Sequence, residues 1–232
     1  MPTQPLIVGN PVLVVVDIQE GGAMSVQDAG IPMMPGHAER VQRAQRLVAS
    51  ARAAGIPVVF FQEMHRPSGI DFGRELDGTE GEHCVEGRPG TDLEPSLRPG
   101  PDDFHIVKRR YSGFIGTDFE IVLRGLNAST LILIGGLTDV CVHYTFADAH
   151  QRDYYVRVVS DCVGGSSEYR HEAALDAMEY LQTGAVRTTD EILTAFDQCP
   201  RPGGSGDQCP RQGGSGQQSE PTSGPVLEGA AR

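Results

Sequence analysis

The sequence predicts an α/β fold built on a mainly parallel sheet of six strands. Short β-rich apolar runs alternate with helical patterns along residues 1–197. The first run, VLVVV at 12–16, is apolar without interruption, as a strand covered on both faces requires. Strands separated by helices of about 10–15 residues imply right-handed βαβ units and parallel pairing.

The elements follow in order. Val12–Val16 is the first strand. From His37 to Ala54, apolar residues fall at Val41, Ala44, Leu47, Val48 and Ala51, which is helical spacing. Gly55 stops that helix and Pro57 follows it. Val58–Gln62 and Phe104–Lys108 are the second and third strands. Thr117–Gly125 is a helix with Thr117 as its N-cap. Thr130–Ile134 is the fourth strand, Val140–Arg152 a helix and Tyr155–Ser160 the fifth strand. Ser167–Gln182 is a helix, Ala185–Thr188 the sixth strand and Asp190–Phe196 a last helix. The segment His65–Pro101 breaks the rhythm, and a loop of that length inside a compact domain is usually functional.

The tail separates by composition. DQCPRPGGSG at 197–206 is followed by DQCPRQGGSG at 207–216, a ten-residue repeat rich in Gly, Pro and Ser. Such a segment buries too little apolar surface to offset its ordering entropy, so 198–232 reads as disordered. Cys199 and Cys209 recur with the repeat, but no His or further Cys lies near enough to complete a metal set.

Composition narrows the function. The formal net charge of -12 argues against nucleic acid or an anionic membrane as a partner. No apolar run approaches the roughly 18 residues needed to span a bilayer, and the first residues lack a signal-peptide pattern. Five scattered cysteines are not a disulfide framework; a reducing cytoplasm suits them and leaves room for one functional thiol.

The chemistry lies at the carboxyl ends of the strands, where open α/β sheets bind ligands. The first strand ends in Asp17, the third in Lys108, and the fourth runs into GGLTDVC, ending in Cys141. Taken singly, Asp17 reads equally as a helix cap, Lys108 as a solvated cation and Cys141 as a core residue. Together at one sheet edge they supply a carboxylate, an ammonium and a thiol. A thiol near a helix start and beside a lysine is expected to have a lowered pKa. Asp17 can take its proton and pass it to a leaving nitrogen. The backbone N–H groups of the turn before Cys141 can hold a developing oxyanion.

These stretches resemble the isochorismatase-like cysteine hydrolases, which include nicotinamidases and carbamoyl-amide and ureide hydrolases. The matching segments are VLVVVDIQ (12–19), VKRRYSGF (107–114) and GGLTDVCVHYTFADAHQRDY (135–154), within a resemblance spanning 10–196. It implies a three-layer α/β/α sandwich, with Asp17 as base, Lys108 as electrostatic partner and Cys141 as nucleophile. It also implies a cis peptide at Gly136–Leu137, an oxyanion hole from the Leu137 and Cys141 N–H groups, and a thioester intermediate. No cofactor is required for that chemistry. Family members commonly form dimers or tetramers, so a homodimer or homotetramer is expected.

The substrate expected from the resemblance is a small ureide or carbamoyl amide. A nicotinamide-like amide, a streptothricin-type lactam, and a non-catalytic binding scaffold are the alternatives. Substrate contacts are expected from Gln19, Glu63, His65, Tyr111, Phe114 and Thr138. Each has a plainer reading: backbone bonding for Gln19, polar contacts within the loop for Glu63 and His65, an ordinary loop aromatic for Tyr111 and Phe114, a helix cap for Thr138. Glu63, His65 and His83 partly resemble the metal segment of nicotinamidases, although Glu63 stands where those have Asp. Arg66 reads either as a partner for an acidic substrate group or as a surface residue. Cys84 has no strand before it, Cys162 reads as buried and inert, and His150 as packing or interface.

Overall fold

The computed structural model describes residues 5–199. Beyond Cys199, the segment read as disordered lies outside these residues. Six strands form one sheet: β1 (Asn10–Val16), β2 (Val58–Glu63), β3 (Phe104–Lys108), β4 (Ala128–Gly136), β5 (Tyr155–Gly164) and β6 (Val186–Arg187). Their order is β3-β2-β1-β4-β5-β6 and every pairing is parallel. The helices are α1 (Val26–Ala29), α2 (His37–Ala53), α3 (Phe119–Gly125), α4 (His143–His150), α5 (Glu168–Leu181) and α6 (Thr189–Asp197).

Alternation along β1 separates the two faces of the sheet. Val12, Val14 and Val16 pack with Phe119 and Leu123 of α3, Phe146 of α4, and Leu175 and Met178 of α5. Leu13 and Val15 pack with Leu47 and Val48 of α2 and with Ile192 and Phe196 of α6. Three layers result because a strand with apolar side chains on both faces needs a cover on each. Leu47 is wholly buried, so Leu47→Ala would cost about 2–5 kcal/mol.

Helix ends follow the sequence signals closely. Gly55 sits at φ 69°, its N–H bonds Arg52 O at 3.1 Å, and the Ile56 N–H bonds Ala51 O at 2.8 Å. That paired closure satisfies carbonyls which the end of α2 would otherwise leave open. α6 begins at Thr188, whose side chain accepts from Glu191 N while the Glu191 carboxylate accepts from Thr188 N.

Several boundaries differ from the sequence reading, among them those nearest the site. β2 extends to Glu63, and β5 runs on to Gly164, with a register irregularity opposite β4. The helix expected from Val140 instead begins as a π-helical turn at Thr138–Val142 before α4. Thr117 lies one position outside the expected role: Asp118 is the cap position of α3, while the Thr117 hydroxyl accepts from Phe119 N at 3.2 Å.

Two backbone features set the site at the carboxyl edge. Gly135 has φ 114°, and a Cβ there would come within 2.0 Å of Val16 O, so only glycine lets β4 approach β1 this closely. The next peptide, Gly136–Leu137, is cis.

Candidate active site

Asp17, Glu63, Lys108 and Cys141 come together from the ends of β1, β2 and β3 and from the turn after β4. Lys108 Nζ lies 2.8 Å from Asp17 Oδ2, 2.8 Å from Glu63 Oε2 and 3.3 Å from Cys141 Sγ. The Cys141 thiol donates to Glu63 Oε2 at 3.3 Å. Lys108 is wholly buried, and Cys141 and Glu63 are 5% and 4% exposed. Asp17 takes φ 49°, in the left-handed region that Asp tolerates better than most residues.

Burial and mutual charge set the protonation states. Burial would neutralise Lys108, but Asp17, Cys141 and Glu63 hold its pKa well above the usual lysine value. Burial raises the Asp17 pKa to about 6, with Lys108 pulling it down and Glu63 pushing it up. Burial also acts on Glu63, yet the Lys108 ammonium and hydrogen bonds from His65 and His83 hold it well below the usual range. The thiol departs from the sequence reading. Burial, seconded by Glu63 and Asp17, pushes the Cys141 pKa well up against the pull of Lys108. Desolvation outweighs the single cation, so the resting residue is a thiol with two carboxylates beside it.

Cys141, Asp17, Glu63 and Leu137 line a pocket whose walls include Ile31, Met33, Val140, Pro89 and Tyr111. The long loop after β2 closes one side. Isolated bridges between Gln19 and Leu93 and between His65 and Val85 tie it to the sheet edge.

The expected substrate contacts divide. Tyr111 and Glu63 line the pocket. Gln19 also reaches it, but its amide is engaged by backbone, donating to Glu63 O at 3.0 Å and Thr91 O at 2.6 Å and accepting from Glu63 N at 3.1 Å. Phe114 faces the core instead: its ring meets Phe119 at 4.8 Å and Tyr154 at 6.3 Å, beneath the Arg152 guanidinium. Thr138 Oγ1 bonds His171 Nδ1 at 2.9 Å and is buried away from the pocket. His65 is fully buried behind Glu63, with Nε2 3.2 Å from Glu63 Oε1 and 3.1 Å from Glu75 Oε2. Arg66 is exposed and outside the pocket. Cys84 lines the pocket, but burial holds its thiol pKa well up. Cys162 is buried and donates to Arg40 O, with burial raising its pKa to about 12. His150 stacks on Phe146 and bonds Gln182.

Sequence reasoning missed two acids, Glu75 and Glu80. Glu75 lies in a short 3-10 turn, Glu75–Asp77, and joins Glu63, His65 and His83 in a buried cluster whose donor atoms fall within 4.8 Å of one another. Among the described residues, Glu75 Oε1 is buried without a hydrogen-bond partner, and Oε2 meets the His65 ring alone at 3.1 Å. Two imidazoles and two carboxylates are a donor set that suits a borderline divalent ion such as zinc. Glu80 enters the pocket from the same loop. No periodicity marks either residue, because both lie in irregular chain.

A family model described as the isochorismatase domain matches residues 11–191. The ureidoacrylate amidohydrolase RutB of Pseudomonas syringae is 30% identical over 216 residues, covering 84% of this chain and 86% of that protein. A cysteine hydrolase structure from Pseudomonas syringae pv. phaseolicola superposes with a TM-score of 0.71 at 28% identity, covering 86% and 97%. The N-carbamoylsarcosine amidase of Thermoplasma acidophilum gives a TM-score of 0.65 at 29% identity, covering 78% and 97%. Among the described residues, no helix is long and apolar enough to cross a membrane. Sheet order, strand-end residues and relatives agree, and the chain belongs to the isochorismatase family.

Proposed function

We propose that Cys141 attacks the carbonyl carbon of a small ureide or carbamoyl amide and that Asp17 carries the protons. The chain is an amidohydrolase acting on a C–N bond through a cysteine nucleophile. The observation that carries the residue assignment is the Lys108 ammonium, which touches Asp17, Glu63 and the Cys141 sulfur at once.

Asp17 is the better base of the two carboxylates. Its pKa of about 6 matches neutral proton transfer, whereas Glu63 is held too acidic to accept a proton readily. Asp17 takes the thiol proton as sulfur bonds to the carbonyl carbon. The developing oxyanion is held by the N–H groups of Leu137 and Cys141. Lys108 stabilises the thiolate as it forms, and Glu63 keeps Lys108 protonated and in place. Protonated Asp17 then gives its proton to the leaving nitrogen. An amine or ammonia departs and a thioester remains, or a thiocarbamate where the substrate is a ureide. Water, deprotonated by Asp17, attacks that carbon, and sulfur leaves to regenerate the thiol. Tyr111 forms part of the pocket wall.

A second reading adds a metal at Glu63, His65, Glu75 and His83. The buried Glu75 Oε1, without a hydrogen-bond partner among the described residues, favours it. An ion held there would polarise a substrate oxygen or acidify a bound water.

The same reading places the chain in the cytoplasm as a homodimer or homotetramer. Tyr169 and Tyr180 share one face of α5 and are 83% and 87% exposed, which supports a covered surface in an assembly. Light scattering on the purified chain tests that state.

An ammonia-release screen over ureides, carbamoyl amides, nicotinamide and lactams tests the function. Turnover by the wild type and its loss in Cys141→Ser is expected. Full turnover in Cys141→Ser would overturn the assignment.

A further inference from the structure

The charges in the pocket are lopsided. Asp17, Glu63 and Glu80 line it, and among the described residues the one basic side chain in its wall is His83. Both His83 ring nitrogens are engaged, Nδ1 with Gly81 O at 2.7 Å and Nε2 with Glu63 Oε1 at 3.1 Å. Lys108 stands behind the wall, and its three donor positions meet Asp17, Glu63 and Cys141. No lining cation therefore has a hydrogen left for a substrate carboxylate.

Glu80 is the acid without a counter-charge. Among the described residues it forms no ion pair, and its one hydrogen bond is a long one, 3.4 Å from the Tyr111 hydroxyl. Burial raises its pKa, with Glu63 and Glu75 adding to the effect against His83. Its place is nevertheless fixed by the backbone beside it. The Gly81 N–H bonds Gly30 O at 2.8 Å, and the Gly81 carbonyl accepts from His83. A second polar group points the same way. Asp17 Oδ1 is buried and has no hydrogen-bond partner among the described residues, and Asp17 lines this pocket. The Tyr111 ring beside Glu80 packs against Tyr144 at 5.5 Å between centroids. A carboxylate next to an aromatic face in an apolar pocket is the chemistry that receives an ammonium or guanidinium group.

We propose that the amide cleaved here carries a cationic group, an alkylammonium or guanidinium, which is recognised by Glu80 and the Tyr111 ring. This rests on the pocket being the amide site. Carboxylate-bearing ureides, such as the one named for the Pseudomonas relative, meet three acids there and no free cation. Glu80 acts on selectivity through binding and takes no part in the bond-breaking steps.

A binding titration tests this without turnover. n-Butylguanidinium, n-butylurea and butyrate are titrated into the full chain at neutral pH, followed by ligand-observed NMR. The cation is expected to bind at least about tenfold tighter than butyrate. That ratio should fall by about tenfold in Glu80→Gln and be partly restored in Glu80→Asp, with circular dichroism unchanged in both. Equal or tighter binding of butyrate, no measurable cation binding, or full cation affinity in Glu80→Gln would overturn the proposal. Ammonia release from (4-aminobutyl)urea and 4-ureidobutanoate is measured separately. Cation binding without ammonia from either urea would overturn the ureide as the substrate class and leave the charge preference standing.

Discussion

Glu63 and Lys108 are register partners across β2 and β3, and their side chains meet at 2.8 Å with 6% and 0% exposure. Each strand delivers one charge to the sulfur, so removing either leaves the other with fewer partners. Glu63→Gln leaves Lys108 with Asp17 alone and weakens the acceptor shared by His65 and His83. Breaking a buried pair of this kind costs about 3–5 kcal/mol. The variant is expected to unfold at correspondingly lower denaturant and to lose about 10²–10³-fold in kcat. Denaturant melts and ammonia release check both, and wild-type stability would show that the pair is not energetically coupled.

Alkylation should report the state of the sulfur. With its pKa pushed up by burial, Cys141 reacts as the thiolate fraction grows. Its labelling by iodoacetamide is expected to accelerate steadily between pH 7 and pH 9, by about tenfold or more over that range. Lys108→Met removes the one nearby cation and should slow labelling at every pH. Peptide mapping by mass spectrometry distinguishes Cys141 from Cys84 and the buried Cys162. A rate already maximal at pH 6 would mean a resting thiolate and contradict the burial argument.

Much of this site was legible in the sequence because strand ends carry it. Asp17, Lys108 and the run into Cys141 stand where apolar strand patterns stop. Glu63 obeys the same rule, since it is the last residue of β2, but ending that strand at Gln62 left it as an expected substrate contact rather than a partner of Lys108. Register is what brings Glu63 opposite Lys108, and register depends on tertiary pairing rather than on local pattern. Phe114 was misplaced for a related reason: nothing in Tyr-Ser-Gly-Phe says which aromatic turns into the core. The thiol pKa was misjudged because neighbours are visible in a sequence while desolvation is not. Glu75 and Glu80 sit in irregular loop, where no period marks which side chain turns inward.

Under the proposed mechanism the acid limb of the pH profile belongs to Asp17. Its carboxyl must be ionised to accept the thiol proton, and burial places its pKa at about 6. Activity, as kcat/KM on a neutral amide, is therefore expected to rise about tenfold per pH unit below that value and to level above it. The same shift acts on stability with the opposite sense. A carboxyl raised from 3.8 to about 6 favours the fold most below pH 3.8, and that contribution is lost as pH rises through about 6. Asp17→Asn should abolish the kinetic limb and remove this stability loss. A limb well below pH 5 in the wild type would assign the base to Glu63 instead.

His65 separates the metal-free from the metal-bound reading through stability. Burial lowers its pKa, but hydrogen bonds to Glu63 and Glu75 overcome this and raise it from 6.5 to about 9. In chelator-dialysed protein the His65 contribution is complete below pH 6.5 and disappears as pH rises through about 9. The melting temperature should fall across that window, and His65→Gln should flatten the fall. A divalent ion on the same imidazole requires the neutral ring, so binding releases the proton. Added zinc is then expected to raise the melting temperature more at pH 9 than at pH 6.5, with about one equivalent retained by elemental analysis after gel filtration. A flat pH profile in the dialysed protein would dissolve the His65–Glu75 ion pair. Zinc that neither stabilises nor stays bound would leave Glu75 as a partner of the protonated imidazole alone.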